Sequence, residues 1–162
     1  ESQLYVNDIV EFASLWLGEL ADRHYEKALS LRGTAEGAVE LSAAIELLTV
    51  ADRLLASHPD HQLSRWVSDA RAWGDGPKAD HFEADAKRLI TAWGGWQEDY
   101  AARFWSGLIK DYYIPRIEIW FSDKADALDA WEESWIMTPW VDDQVKFDNP
   151  VAAAAEAVLN AE

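Results

Sequence analysis

An all-α, up-and-down bundle of about five to six helices, with an irregular Trp-rich segment near the C-terminus, is the fold this sequence predicts. Three observations carry that expectation. Apolar residues recur three or four apart through most of the 162 residues, the spacing that places side chains on one helix face. No segment alternates β-branched and polar residues with the period of two that a strand requires. Short Gly- and Pro-punctuated breaks separate the periodic stretches, and connections of about two to eight residues favour antiparallel neighbours.

The first helix takes its face from Val6, Ile9, Val10, Ala13, Trp16, Leu17, Leu20, Ala28 and Leu31 and stops at Gly33. Thr34 is the expected N-cap of the second, whose stripe runs through Leu41, Ala44, Ile45, Leu48, Ala51 and Leu55 to the break at Ser57-His58-Pro59. A third follows on Leu63, Trp66, Val67 and Ala70, closed by the turn signal Gly74-Asp75-Gly76-Pro77. Pro77 suits the first turn of a fourth helix with Phe82, Ala86, Leu89, Ile90 and Trp93 on its face, ended by Gly94-Gly95. The fifth is expected to be long, running from the Tyr100 region to Phe121 with a kink at Pro115, which lacks a backbone donor and crowds the Asp111 carbonyl. The aspartates from Asp123 to Asp129 suggest a solvated face. Ala130 to Phe147 is expected to be irregular or only partly helical, before Asn149-Pro150 caps a short alanine-rich final helix.

Composition narrows the function classes. With 49% hydrophobic residues the chain builds one core in one domain, 1–162. Thirty acidic against 14 basic side chains, a formal charge of -16, speak against nucleic acid or an anionic membrane surface as partner. Neutral sugars remain open. A Cys count of 0 removes disulfides, thiolate metal sites and a Cys nucleophile. No apolar run reaches the ~20 residues of a membrane span, and no leader pattern is present. The helical pattern is already running by Leu4 behind a non-Met first residue, so the sequence reads as cut from a longer chain.

Residues 91–121 concentrate the aromatics: Trp93, Trp96, Trp105 and Trp120, with Tyr100, Tyr112 and Tyr113. Within this run stand a W-G turn (Trp93, Gly94), a D-Y pair (Asp99, Tyr100), a G-L-I core (Gly107, Leu108, Ile109) and Y-Y-x-P-R (Tyr112, Tyr113, Pro115, Arg116). Together with LLASHPDHQLSRWVSDARAWG at 54–74, they resemble the C-terminal helical domain of the α-N-acetylglucosaminidases, glycoside hydrolase family 89. The resemblance implies a domain that packs on its own upstream catalytic (β/α)8 barrel in a retaining glycosidase of terminal α-linked N-acetylglucosamine. It further implies an exported or, in an animal, lysosomal protein with no cofactor. The wall of the N-acetylglucosamine pocket would include Trp93 and Tyr100. Gly95-Trp96-Gln97-Glu98 joins the two where the family commonly has a Pro and a longer connection, and that shortened loop makes Trp96 a candidate to take the place of either ring in the wall.

Each remaining candidate has a plainer reading. Burying a Trp stabilises by roughly 4–6 kcal/mol, so Trp16, Trp66 and Trp105, on helical stripes, are expected in the core. Trp93 and Trp96 differ because they flank Gly94-Gly95, where a ring can leave the end of a bundle. Gly94 gives the turn its freedom, while Arg88 would brace it or pair with Asp85 or Glu83. Arg116 is expected to hold Asp111 or a carbonyl freed at the proline. The adjacent pairs Glu98-Asp99, Glu132-Glu133 and Asp142-Asp143 diverge by about 100° on a helix and do not make a glycosidase acid and nucleophile, so no catalytic residue is assigned. The H-P-D-H run at 58–61 has a spacing that could seat two metal ligands, but a turn with Asp60 as N-cap explains it and no third ligand is evident; no metal is expected. His24 reads as a hydrogen-bonded histidine at the core edge. The competing functional class is a non-catalytic helical module that binds glycan or protein through exposed aromatics.

Overall fold

The structure, a computed structural model, describes residues 2–92, 102–122 and 124–161. Seven α-helices lie among them: α1 (Gln3–Ser30), α2 (Ala35–Leu55), α3 (Leu63–Arg71), α4 (Pro77–Leu89), α5 (Ile114–Phe121), α6 (Leu128–Met137) and α7 (Pro150–Asn160). No strand occurs among the described residues, only an isolated parallel bridge between Gln62 and Ser106. The all-α expectation holds, and so do most boundaries. Ser2, Thr34 and Asn149 cap α1, α2 and α7 by accepting from the N–H groups of Tyr5, Gly37 and Ala152.

Two hydrophobic clusters replace the single expected core. Val10, Ala13 and Leu17 of α1 meet Ala51 and Leu54 of α2 and Ala154 of α7, with Phe104 and Phe147 packed against them. Leu63 and Val67 of α3, Ile90, Leu108 and Tyr112 form the second, flanked by Trp66, Trp105, Trp131, Trp135 and Trp140. Trp16 is a correction: it is 40% exposed, because α1 buries the narrower arc of Val10, Ala13, Ser14, Leu17, Ala21 and Ala28 and Trp16 sits at its flank. Trp66 and Trp105 do pack, edge to face with ring centroids 5.9 Å apart. His24 bonds Glu40 across α1 and α2 at 2.6 Å, as its place at the core edge suggests.

The fifth helix starts later than its periodicity predicts. Residues 102–105 are not helical, because Ser106 is held as a bridge: its N–H donates to the His61 carbonyl and its own carbonyl accepts from Leu63, both at 2.9 Å. Gly107 then turns with φ 87, and an added Cβ there would stand 3.0 Å from Trp140 and 3.1 Å from Leu63. Before the proline the helix widens into a π turn, Ile109–Tyr113, in which Ile114 N–H donates to the Ile109 carbonyl. That register shift is how the chain accommodates Pro115, so the expected break takes the form of a π turn. Leu128–Met137 supplies the helical part of the stretch expected to be irregular or only partly helical, since Trp131 and Trp135, one turn apart, both pack on Tyr112 with centroids 5.7 and 4.8 Å away. Residues 138–147 carry no regular secondary structure.

Candidate functional site

Trp93, Gly94, Trp96 and Tyr100, the residues singled out from the sequence as site-forming, lie outside the described residues, as do Glu98 and Asp99. What the structure describes is the frame on either side. On the incoming side Ile90 and Thr91 are buried, and the Thr91 hydroxyl donates to the Lys87 carbonyl at 2.7 Å. On the outgoing side the Phe104 ring lies over Gly18 of α1, where an added Cβ would be 3.2 Å from it, and Trp105 stacks edge-on against Trp66. Ser106 fixes the end of the segment.

A buried carboxylate organises that end. Asp52 of α2 accepts from the N–H groups of Gly107 at 2.8 Å and Lys110 at 3.1 Å, and its other oxygen lies 3.4 Å from the Ser106 hydroxyl. The Ser106 hydroxyl itself donates to Gln144 at 2.9 Å. Asp52 therefore caps, from another element, the N-terminus of the helix that begins at Leu108. Burial pushes its pKa up to about 6, against the pull of the two N–H donors and with a further push from Asp111. Sequence reasoning missed Asp52 because the helix it caps starts 56 residues downstream; its one signal was a carboxylate on the buried face of α2 between Ala51 and Leu54.

Two charged networks tie α4 and α5 to α6 and the residues after it. Lys87, 1% exposed in its side chain, donates to the carbonyls of Trp135 at 2.8 Å and Thr138 at 2.5 Å, and pairs with Glu83 at 3.4 Å. Glu83 accepts from Trp140 N–H and from Arg71, both at 2.5 Å, so one ion pair fastens α4 to the segment after α6. Desolvation lowers the Lys87 pKa. Arg116 pairs with Glu132 at 2.9 Å, which also accepts from the Tyr112 hydroxyl at 2.7 Å. The expected Asp111 partner is thus a correction, because Asp111 accepts from the Trp140 indole at 2.8 Å. Arg88 bonds Asp85 at 3.4 Å and Glu133 at 3.1 and 3.2 Å, tying α4 to α6; Glu83, offered as an alternative partner, is held by Arg71 and Lys87.

Of the three adjacent carboxylate pairs, the two that lie within the described residues diverge. Glu132 is buried on Arg116 while Glu133 faces Arg88, and Asp143 pairs with Lys110 at 2.5 Å while Asp142 accepts from Gln144 N–H. Asp60 is no N-cap: α3 starts behind Gln62 without a side-chain cap, and Asp60 pairs with Arg65. The histidines of the H-P-D-H turn stack with centroids 4.1 Å apart, and Glu11 of α1 approaches His58 to 3.8 Å.

This helical scaffold has known counterparts among carbohydrate-active enzymes. A family 89 glycoside hydrolase from Clostridium perfringens, solved with PUGNAc, shares the fold over 94% of this chain and 20% of its own, with a TM-score of 0.67 and 23% identity. The Clostridium perfringens enzyme solved with GlcNAc-alpha-1,4-galactose gives 0.66 over 96% of this chain and 20% of its own, at 22% identity. A family model described as the alpha-N-acetylglucosaminidase (NAGLU) C-terminal domain matches residues 1–158. The chain belongs to that family of glycoside hydrolase domains. Human alpha-N-acetylglucosaminidase is 32% identical over 128 residues, which is 75% of this chain and 17% of the human protein. The chain thus spans about a fifth or less of the length of these relatives.

Proposed function

We propose that this chain is the helical domain of a longer α-N-acetylglucosaminidase, in which it packs on a catalytic (β/α)8 barrel and supplies one wall of the pocket for terminal α-linked N-acetylglucosamine. The match of residues 1–158 to the C-terminal domain of that family carries the reading. Trp93 and Tyr100 are the wall residues, with Trp96 beside them and Gly94 giving the turn its freedom. An aromatic ring suits the apolar face of a pyranose, and the buried anchors at Thr91 and Ser106 would hold both ends of the intervening segment in place. Arg88 and Arg116 support the same region through α6. The acid and nucleophile of a retaining mechanism belong to the barrel, so this chain by itself turns over no substrate. The glycosidase works outside the cytosol, exported or in a lysosome.

The test is kinetic and uses the full-length protein. Trp93→Ala and Tyr100→Ala should each lower kcat/KM on an aryl α-N-acetylglucosaminide by tenfold or more while Tm stays within about 2 °C. Unchanged kcat/KM in both would end the assignment. A second reading, a module that binds glycan by itself, is favoured by Trp73, which is 79% exposed beside Trp66, Phe82 and Leu89 in a groove between α3 and α4. Saturable binding of free N-acetylglucosamine by the 162-residue chain, lost in Trp73→Ala, would select it.

A further inference from the structure

We propose that Glu11, His58 and His61 form a binding site for a divalent transition-metal ion such as zinc, linking α1 to the turn between α2 and α3. One ligand atom from each lies within 4.8 Å of the others, and His58 Nε2 is 3.8 Å from Glu11 Oε2. Two ligands on a tetrahedral zinc, each ~2.05 Å from the ion, sit about 3.3 Å apart, so the cluster is about 1.5 Å or less from closing on one.

The local structure explains why these groups are together. Pro59 and Asp60 turn the chain so that His61 N–H donates to the His58 carbonyl at 3.2 Å, which sets the two rings side by side with 10° between their planes. His58 is 6% exposed and is the fixed member. Its Nδ1 accepts from Asp60 N–H at 3.2 Å, a long contact, and its Nε2 faces Glu11. An ion at Nε2 moves the ring proton to Nδ1 and gives up that contact. Glu11 and His61 are only partly buried and can adjust. A metal lies in the plane of each imidazole that binds it, so closure tilts the His61 ring out of the stack.

The donor set selects the ion. Two imidazoles and one carboxylate suit zinc and its neighbours, whereas calcium and magnesium take shells of oxygen. Asp8 and Asp60 lie close enough to His58 to add negative potential, with Arg65 offsetting part of that from Asp60, and the whole chain carries a formal -16. Water fills the fourth position. The ion would also steady the Ser106 bridge, because the His61 carbonyl and the Leu63 N–H are what hold it.

Chelator-treated chain titrated calorimetrically with zinc chloride should bind one ion with a Kd of micromolar or tighter, and Tm should rise by about 3 °C or more at tenfold excess. His61→Gln and Glu11→Gln, both outside the core, should each weaken binding at least tenfold with an unchanged far-UV circular dichroism spectrum. His81→Gln, which alters an exposed His–carboxylate pair on α4 with Asp85 3.3 Å away, should leave it unchanged. The proposal is overturned if no saturable uptake occurs, if His61→Gln or Glu11→Gln binds like the wild type, if His81→Gln abolishes binding, or if equimolar magnesium displaces the zinc.

Discussion

Asp52 shows how one side chain couples the fold to pH. Its folded pKa of about 6 exceeds the ordinary 3.8, so between these values the folded chain takes up a proton that the unfolded chain still refuses. Stability from this group therefore rises as the pH falls from 7 through 6 and levels off below about 4, by at most about 3 kcal/mol. Burial also raises the pKa of Asp111, with the same sign. Thermal melts of wild type and Asp52→Asn from pH 4 to 7.5 should differ in slope, the variant lacking most of the acid-side gain; parallel curves would refute the assignment. Gly107 tests the other end of the same contact. Gly107→Ala combines a positive φ with a Cβ pressed against Trp140 and Leu63, and should cost about 2–4 kcal/mol in urea melts. Gly33→Ala, at φ 83 in open space, should cost only about 1 kcal/mol.

At the scale of elements, buried charge fastens α6 and the irregular 138–147 segment to α4. Lys87 donates to two carbonyls at the end of α6 and pairs with Glu83, which in turn holds Trp140. Lys87→Ala leaves those two carbonyls without their donor and Glu83 with Arg71 alone of its two cations, and should cost about 3–5 kcal/mol, read as a lower urea midpoint and as faster amide exchange at Trp140. Arg88, by contrast, works at a side-chain exposure of 36%. Arg88→Ala should change stability by less than about 1 kcal/mol, and equilibrium melts at two salt concentrations would show it. Helix periodicity predicted α1 and α2 closely because each carries its own apolar stripe and stop, but it ran α4 on to Trp93, where the helix ends at Leu89, and gave α3 a cap at Asp60 that the structure lacks. It misplaced the start of the fifth helix, since the hydrogen bonds that hold Ser106 out of the helix come from His61 and Leu63. It left α6 undefined because its Trp131 and Trp135 acquire meaning only against Tyr112.

For the whole molecule, two apolar clusters meet where α2 offers Asp52 to the Gly107 turn. The pocket-wall role proposed above would need rigid ends on its contact segment. The motifs that betrayed the family, W-G, D-Y, G-L-I and Y-Y-x-P-R, were legible in order along the chain; their supports were not, because Asp52, Glu132 and Trp140 lie far from them in sequence. The purified chain should show no hydrolysis of an aryl α-N-acetylglucosaminide, a readout that turnover above the buffer blank would contradict.

By itself the sequence determined the helical class, the stripes of α1 to α4, the caps at Thr34 and Asn149, and the kinship, because periodicity, capping chemistry and short motifs are local properties of consecutive residues. Tertiary structure alone decided which Trp are buried, that Arg116 pairs with Glu132, that Asp52 caps a distant helix, and that Glu11 stands beside the two histidines. Each of those depends on groups brought together from separate elements, and burial, pairing and pKa are set by that surrounding space.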